Sequence, residues 1–170
     1  MRNLVLIGMP GTGKSTIGGT LALRLRRPLV DTDRLLAKAA GKPLPAILAE
    51  EGLDAFLERE GGVGAHLRCE RCVIATGGSM VLSEAAMENL RKDSLVIWLD
   101  TELGELERRI RRHADRGIAA APGATVRQIE AQRRPYYEKY ADLHVQGGGK
   151  IAEVAERILQ TLRTQHPDYL

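Results

Sequence analysis

Leu4-Val5-Leu6-Ile7-Gly8-Met9-Pro10-Gly11-Thr12-Gly13-Lys14-Ser15 decides how the rest of the chain is read. The short apolar run Leu4 to Ile7 predicts a parallel strand buried on both faces. Gly8 to Ser15 then fits G-x-x-x-x-G-K-[ST], placed as that motif requires, with a strand before it and a helix predicted from its lysine. Glycines let the chain wrap so that backbone N–H groups point inward at phosphate oxygens. The helix that follows adds its positive end at the same point. Gly8, Gly11, Thr12, Gly13 and Thr16 are therefore expected around a polyphosphate, with Lys14 on the β- and γ-phosphates and the Ser15 hydroxyl on Mg²⁺. A glycine turn that merely joins strand to helix is the plain alternative. With Gly at about 7% of average sequence, the four fixed positions arise by chance in well under ~1% of chains this long.

Further apolar runs read as strands of the same kind: Pro28-Leu29-Val30, Val73-Ile74-Ala75-Thr76, Leu95 to Leu99 and, more weakly, Leu143-His144-Val145. Segments of helical period lie between them. Ile17, Leu21 and Leu25 share a face, as do Leu103, Leu106 and Ile110. Ile151, Val154, Ala155, Ile158, Leu159 and Leu162 make the clearest stripe. Alternation of strand and helix predicts one α/β domain over residues 1–170, a parallel sheet in three layers with helices on both faces. Residues 34–66 exceed a simple crossover and are expected to hold several short helices. Residues 113–123, with Gly117, Pro122 and Gly123, have no period; a loop of that length is either functional or a tolerated insertion.

Asp31-Thr32-Asp33 closes the second predicted strand, at the sheet edge where open α/β folds bind ligands. Strand alternation would put Asp31 and Asp33 on one side, one carboxylate for Mg²⁺ and the other for an attacking hydroxyl. Asp33 as a helix cap is the competing reading.

Composition bounds the rest. The chain has 170 residues, 44% hydrophobic and 28% charged, an ordinary globular balance that excludes a disordered chain. A net charge of +3 is too mild to argue for nucleic acid, and one Trp, one Phe and four Tyr give few stacking platforms. No apolar run approaches a membrane span and the N-terminus does not read as a signal peptide, so the expectation is a cytoplasmic protein with no membrane or nucleic-acid partner. Cys69-Glu70-Arg71-Cys72 is a lone C-x-x-C without a second ligand pair and reads as two reduced thiols. Arg108, Arg109, Arg111, Arg112 and Arg116 crowd into nine residues. A solvated helix face explains part of this, but Arg116 lies beyond the helix, where a planar guanidinium suits phosphate oxygens.

Taken together, the phosphate loop, Asp31-Thr32-Asp33, Phe56 with Glu60, Gly77-Gly78, Arg116 and Arg133-Arg134-Pro135-Tyr136-Tyr137 resemble the shikimate kinase family of small P-loop kinases, over nearly the whole chain. The resemblance implies a monomer with a five-stranded parallel sheet, a lid over residues 113–123 and an acceptor-binding region over 34–66. It implies ATP and Mg²⁺ as cofactors and a small hydroxylated acid as substrate. Asp31 and Ser15 would order the metal, Asp33 would bind the acceptor hydroxyl and take its proton, and Arg116 would swing over the transferring phosphate. Arg112 or Arg111 would stack on the adenine. Phe56, Leu57, Gly77, Gly78, Ser79 and Arg133 fall at acceptor-binding positions, with Arg133 on a carboxylate.

Three positions depart from the family pattern. Leu57 stands where a second carboxylate-gripping arginine is usual, and Arg59, about 200° further round a helix, would point elsewhere. Ser79 replaces the third glycine of a triple. Arg116 is followed by Gly117-Ile118-Ala119 rather than Pro-Leu-Leu. Shikimate is the leading acceptor; another small hydroxylated acid or amino acid such as homoserine, and a nucleotide-binding module without transfer chemistry, are the alternatives.

Overall fold

The computed structural model describes residues 2–113 and 117–170. Strands β1 (Asn3–Ile7), β2 (Leu29–Asp31), β3 (Val73–Ala75), β4 (Ser94–Asp100) and β5 (Leu143–Gln146) pair in parallel, in the order β2-β3-β1-β4-β5. Helices α1 (Lys14–Leu25), α2 (Thr32–Ala40), α3 (Leu44–Glu51), α4 (Leu53–His66), α5 (Glu84–Arg91), α6 (Leu103–Arg112), α7 (Val126–Tyr140) and α8 (Ile151–Gln165) connect and cover them. The five-stranded parallel α/β architecture expected from the sequence is the one observed.

Alternation along β1 explains why the sheet is buried on both sides. Leu4 and Leu6 point into a layer with Ile17 and Leu21 of α1 and Ile158, Leu159 and Leu162 of α8. Val5 and Ile7 point into the opposite layer, with Met87 and Leu90 of α5, Leu106 of α6 and Ile129 and Tyr137 of α7. Each fully buried side chain of this kind contributes roughly 1.5–3 kcal/mol. A smaller apolar cluster of Leu36, Ile47 and Phe56 joins α2, α3 and α4, with Leu57 packed against it. Residues 34–66 thus form helices with an apolar centre of their own.

Two local expectations are corrected. Strand β2 begins at Leu29, one residue later than read; Pro28 has no N–H for the ladder and instead accepts at its carbonyl from Val73 N at 2.9 Å. The strand also stops at Asp31, and Thr32 and Asp33 already belong to α2. Strand alternation therefore does not relate the two aspartates.

Because β1 is flanked by β3 on one side and β4 on the other, the chain reverses its direction of travel across the sheet there. The crevice outside the carboxyl end of β1 is the place where such a sheet binds ligands. Gly8 to Gly13 occupy it.

Candidate active site

Three glycines shape the loop after β1. Gly8 (φ 147°) passes so close to β4 that a Cβ there would lie 2.6 Å from the carbonyl oxygen of Leu99. Gly11 (φ 86°) and Gly13 (φ 89°) adopt backbone conformations that side chains disfavour, and Gly13 leads directly into α1. The first N–H groups of α1 are left facing outward at this turn.

Lys14 is buried, and its Nζ donates to the carbonyls of Gly8 at 2.7 Å and Met9 at 2.9 Å. Burial lowers its pKa to about 8, although Asp33, Glu60 and Asp31 pull it back up. Two of its three donors are committed to the loop, which fixes the ammonium above the glycine cradle. Ser15 and Thr16 are exposed at the start of α1.

A cavity of about 990 Å³ opens at this edge of the sheet. Gly11, Gly13, Lys14, Ser15 and Thr16 line it on the side of the glycine loop. Asp31, Asp33, Phe56, Gly78, Ser79 and Arg133 line the remainder. Residues drawn from positions 8–16, 31–33, 56–60, 77–79 and 133 thus meet in one place, as the sequence pattern implied. Gly8, Thr12 and Gly77 shape this site from behind without lining it.

Asp31 is the N-cap of α2, not Asp33. Its Oδ1 accepts from the backbone N–H of Asp33 at 3.0 Å and of Arg34 at 3.3 Å. Among the described residues its Oδ2 has only the Arg34 guanidinium, 4.0 Å away. Asp33, in the first helical turn, is half-buried, and its carboxyl pKa is raised by burial, opposed by Lys14 and reinforced by Asp31. The cap orients the first turn of α2, and through it Asp33, toward the cavity.

The test for Mg²⁺ rests on donor chemistry. Ser15 offers a hydroxyl and Asp31 a carboxylate oxygen with no N–H of its own, both in the cavity beside Lys14. Hard oxygen donors in small number, with the rest of the shell left to phosphate and water, suit Mg²⁺. The two residues fit the ion.

Arg133, on α7, is 2% exposed. Its Nη2 donates to the carbonyl of Ala119, while its Nε is buried without a hydrogen-bond partner among the described residues. Glu60, also 2% exposed, accepts from the Ser79 hydroxyl. Tyr137, one helical turn beyond Arg133, donates from its hydroxyl to the Gly78 carbonyl at 2.7 Å and pins the Gly77–Ser79 turn. Gly77 must be glycine: a Cβ would overlap Glu60 Oε1 and approach Asp33 Oδ1 to 2.7 Å.

Not every expected residue is brought in. Leu57 packs against the Leu36, Ile47 and Phe56 cluster and does not line the cavity. Arg111 and Arg112 are exposed and do not line it either. Arg109 does, donating to the carbonyls of Gly11 at 3.1 Å and Gly149 at 3.4 Å and pairing with Glu105. The reason is helical phase: α6 buries Leu106, which turns the next turn's Arg109 toward the loop and Arg112 away. Arg116 lies outside the described residues. Beside the gap, His113, Gly117, Ile118 and Ala119 line the cavity. Cys69 and Cys72 are unbridged and precede β3, at the other end of the strands.

Glu60, Arg109 and Tyr137 received no assigned role from sequence. Each carried a signal: Glu60 and Tyr137 stand in the motifs of the resemblance, and Arg109 flanks the Leu103, Leu106 and Ile110 stripe.

The chain matches the shikimate kinase family model over residues 10–163. It is 42% identical over 147 residues to the shikimate kinase of Nitrobacter winogradskyi, which is 85% of this chain and 68% of that protein. It is 38% identical over 166 residues to the shikimate kinase of Symbiobacterium thermophilum, 92% of this chain and 95% of that one. Its fold superposes on a structure of shikimate kinase from Acinetobacter baumannii in complex with shikimate, with a TM-score of 0.86 and 27% identity, covering 96% of this chain and 94% of that chain. With a family match that runs from Pro10 in the glycine loop through the acidic turn of α2 to beyond Arg133, the chain belongs to the shikimate kinase family.

Proposed function

We propose that this chain transfers the γ-phosphoryl group of ATP to a hydroxyl of shikimate, giving shikimate 3-phosphate and ADP. The observation that carries the acceptor assignment is Arg133. A buried guanidinium with an orphaned Nε and no carboxylate within 4.0 Å among the described residues leaves a charge-assisted bond to be completed, in the same cavity as Asp33 and the phosphate loop. A carboxylate on the acceptor completes it. A hydroxyl on the same molecule then meets Asp33.

The reaction follows from these positions. The loop N–H groups and the start of α1 hold the phosphates, and Lys14 keeps a third donor for the transferring group. Ser15 and Asp31 hold Mg²⁺, which neutralises charge on the phosphate oxygens when bound. The acceptor oxygen attacks the γ-phosphorus, its proton passes to Asp33, and the bond from γ-phosphorus to the bridging oxygen breaks to release ADP. The raised pKa of Asp33 suits it to receive that proton. Arg116 is assigned to the transferring phosphate on its sequence position alone, and residues 113–123 to a lid that excludes water.

Acceptor-dependent ADP release is the test. Shikimate at millimolar concentration supports turnover, and homoserine does not. ADP release from homoserine with none from shikimate overturns the acceptor, and release independent of any acceptor overturns the kinase reading.

A further inference from the structure

Glu60 is a buried carboxylate in the cavity that the transfer above leaves without a task. It sits one turn beyond Phe56 on α4, so both side chains face the acceptor. Its Oε2 accepts from the Ser79 hydroxyl. Its Oε1 has no hydrogen-bond partner among the described residues and lies against the Cα of Gly77, on the side that also faces Asp33 Oδ1. Lys14 of α1, Asp33 of α2, and Arg133 and Tyr137 of α7 all face it, yet no cation stands within 4.0 Å of it among the described residues.

A buried carboxylate without an ion-pair partner is costly as an anion and sheds that cost by binding a proton. Burial raises the Glu60 pKa to about 7, with the Ser79 hydroxyl holding it down. A proton there belongs on Oε1, because Oε2 already accepts. The acid then offers the cavity a donor that an ionised glutamate lacks.

We propose that Glu60 binds the acceptor as a neutral acid, donating from Oε1 to an acceptor oxygen other than the reacting one, and that Ser79 fixes its orientation. The inference rests on the shikimate reading and deepens it. It also gives the Ser79 departure a purpose: a third glycine would leave Oε2 without its donor.

Proton linkage follows. Below about pH 7 the acid is already protonated and acceptor affinity is flat. Above it, binding must take up a proton, and affinity falls by up to about tenfold per pH unit. An incoming carboxylate at Arg133 strengthens the effect, since a second anion nearby favours the neutral form of Glu60.

Shikimate is titrated calorimetrically into the protein with ADP and Mg²⁺, in two buffers of different ionisation enthalpy. At pH 8 the wild type takes up about one proton per acceptor bound, and almost none at pH 6. Glu60→Gln keeps a donor that does not titrate, so it shows no uptake and binds at pH 8 as the wild type binds at pH 6. Uptake that persists in the Gln variant belongs to Asp33 or another group and overturns the proposal, as does its absence from the wild type at pH 8. Should Glu60→Gln not fold, Ser79→Ala decides. It removes the donor that holds the Glu60 anion, so uptake begins at higher pH, and an unmoved onset overturns the proposal. Heat without proton linkage sinks this inference alone; no heat at any pH sinks the acceptor assignment beneath it.

Discussion

The two sides of the cavity are built in opposite ways. The side proposed for phosphate is eight consecutive residues, Gly8 to Ser15, held between one strand and one helix, and most of the donors it could offer are main-chain N–H groups. The acceptor side is four side chains, Asp33, Glu60, Ser79 and Arg133, from α2, α4, the turn after β3 and α7. A main-chain site depends on local backbone conformation and survives substitution almost anywhere else. A site of dispersed side chains depends on how several helices pack, and each member can drift on its own. Ser79, on this side, and Leu57, packed behind it in the Leu36, Ile47 and Phe56 cluster, are positions where the sequence leads one to expect such change.

Substitutions that harm one side and spare the other test that contrast. Lys14→Ala strikes the phosphate side hardest. It removes the buried ammonium fixed to Gly8 and Met9, and turnover falls by about 10²–10³-fold, as expected for a charge aimed at the transition state. Initial rates at saturating shikimate measure it, and a loss below tenfold would break the phosphate assignment. Arg133→Lys strikes only the acceptor side. The planar fork is lost while a charge remains, and with one charge-assisted bond worth ~1.5–3 kcal/mol the shikimate KM rises by about 10- to 150-fold. The ATP KM stays within about twofold, because among the described residues no hydrogen bond joins Arg133 to the loop, and Lys keeps the positive charge that Lys14 already feels. Equal rises in both constants would dissolve the distinction.

The same contrast explains what could be read from sequence. Strands, sheet and phosphate loop were legible because each is a local pattern: a β-branched run, a glycine spacing, a lysine at a helix start. Asp31 and Asp33 were identified as a pair, but the reason offered failed, since the chain leaves β2 at Asp31 and turns into α2 on an Asp31 cap. The capping alternative named the wrong aspartate. Glu60 was legible as a partner of Phe56 in the resemblance, but its burial was not. An acid on an amphipathic helix is usually at the surface, and only the packing of α4 over β3's outgoing turn buries it against Gly77.

Gly78 is where the two sides touch. A Cβ there would lie 2.6 Å from Pro10 Cδ and 3.0 Å from Pro10 N, a rigid ring and a backbone atom with little room to shift. Gly78→Ala therefore overpacks the seam by about 1–3 kcal/mol. A thermal melt reads this as a Tm lower by roughly 2–10 °C for a domain of this size. Unlike the first two variants it raises both KM values, because the turn and the loop are pushed apart together. A rise confined to shikimate would mean that the loop holds its shape unaided, and would sharpen the contrast.

The smallest expected effect separates two neighbouring arginines. Arg109 spans the phosphate loop and the turn before α8, with one bond to the Gly11 carbonyl and another to that of Gly149. These are neutral acceptors and the side chain is partly solvated, so its loss costs about 1 kcal/mol, or roughly fivefold in the ATP KM. Arg112 is exposed on the same helix with no such contact among the described residues, and Arg112→Ala leaves the ATP KM within about twofold. The stripe of Leu103, Leu106 and Ile110 sets this ranking: Arg109 is three residues past the buried Leu106 and flanks the stripe, while Arg112, six past it, is carried round to the solvent side. ATP titrations of both alanine variants at saturating shikimate decide it. If Arg112→Ala proves the more damaging, α6 must rotate on its axis when nucleotide binds, and the phosphate side would be less of a preformed cradle than its glycines make it.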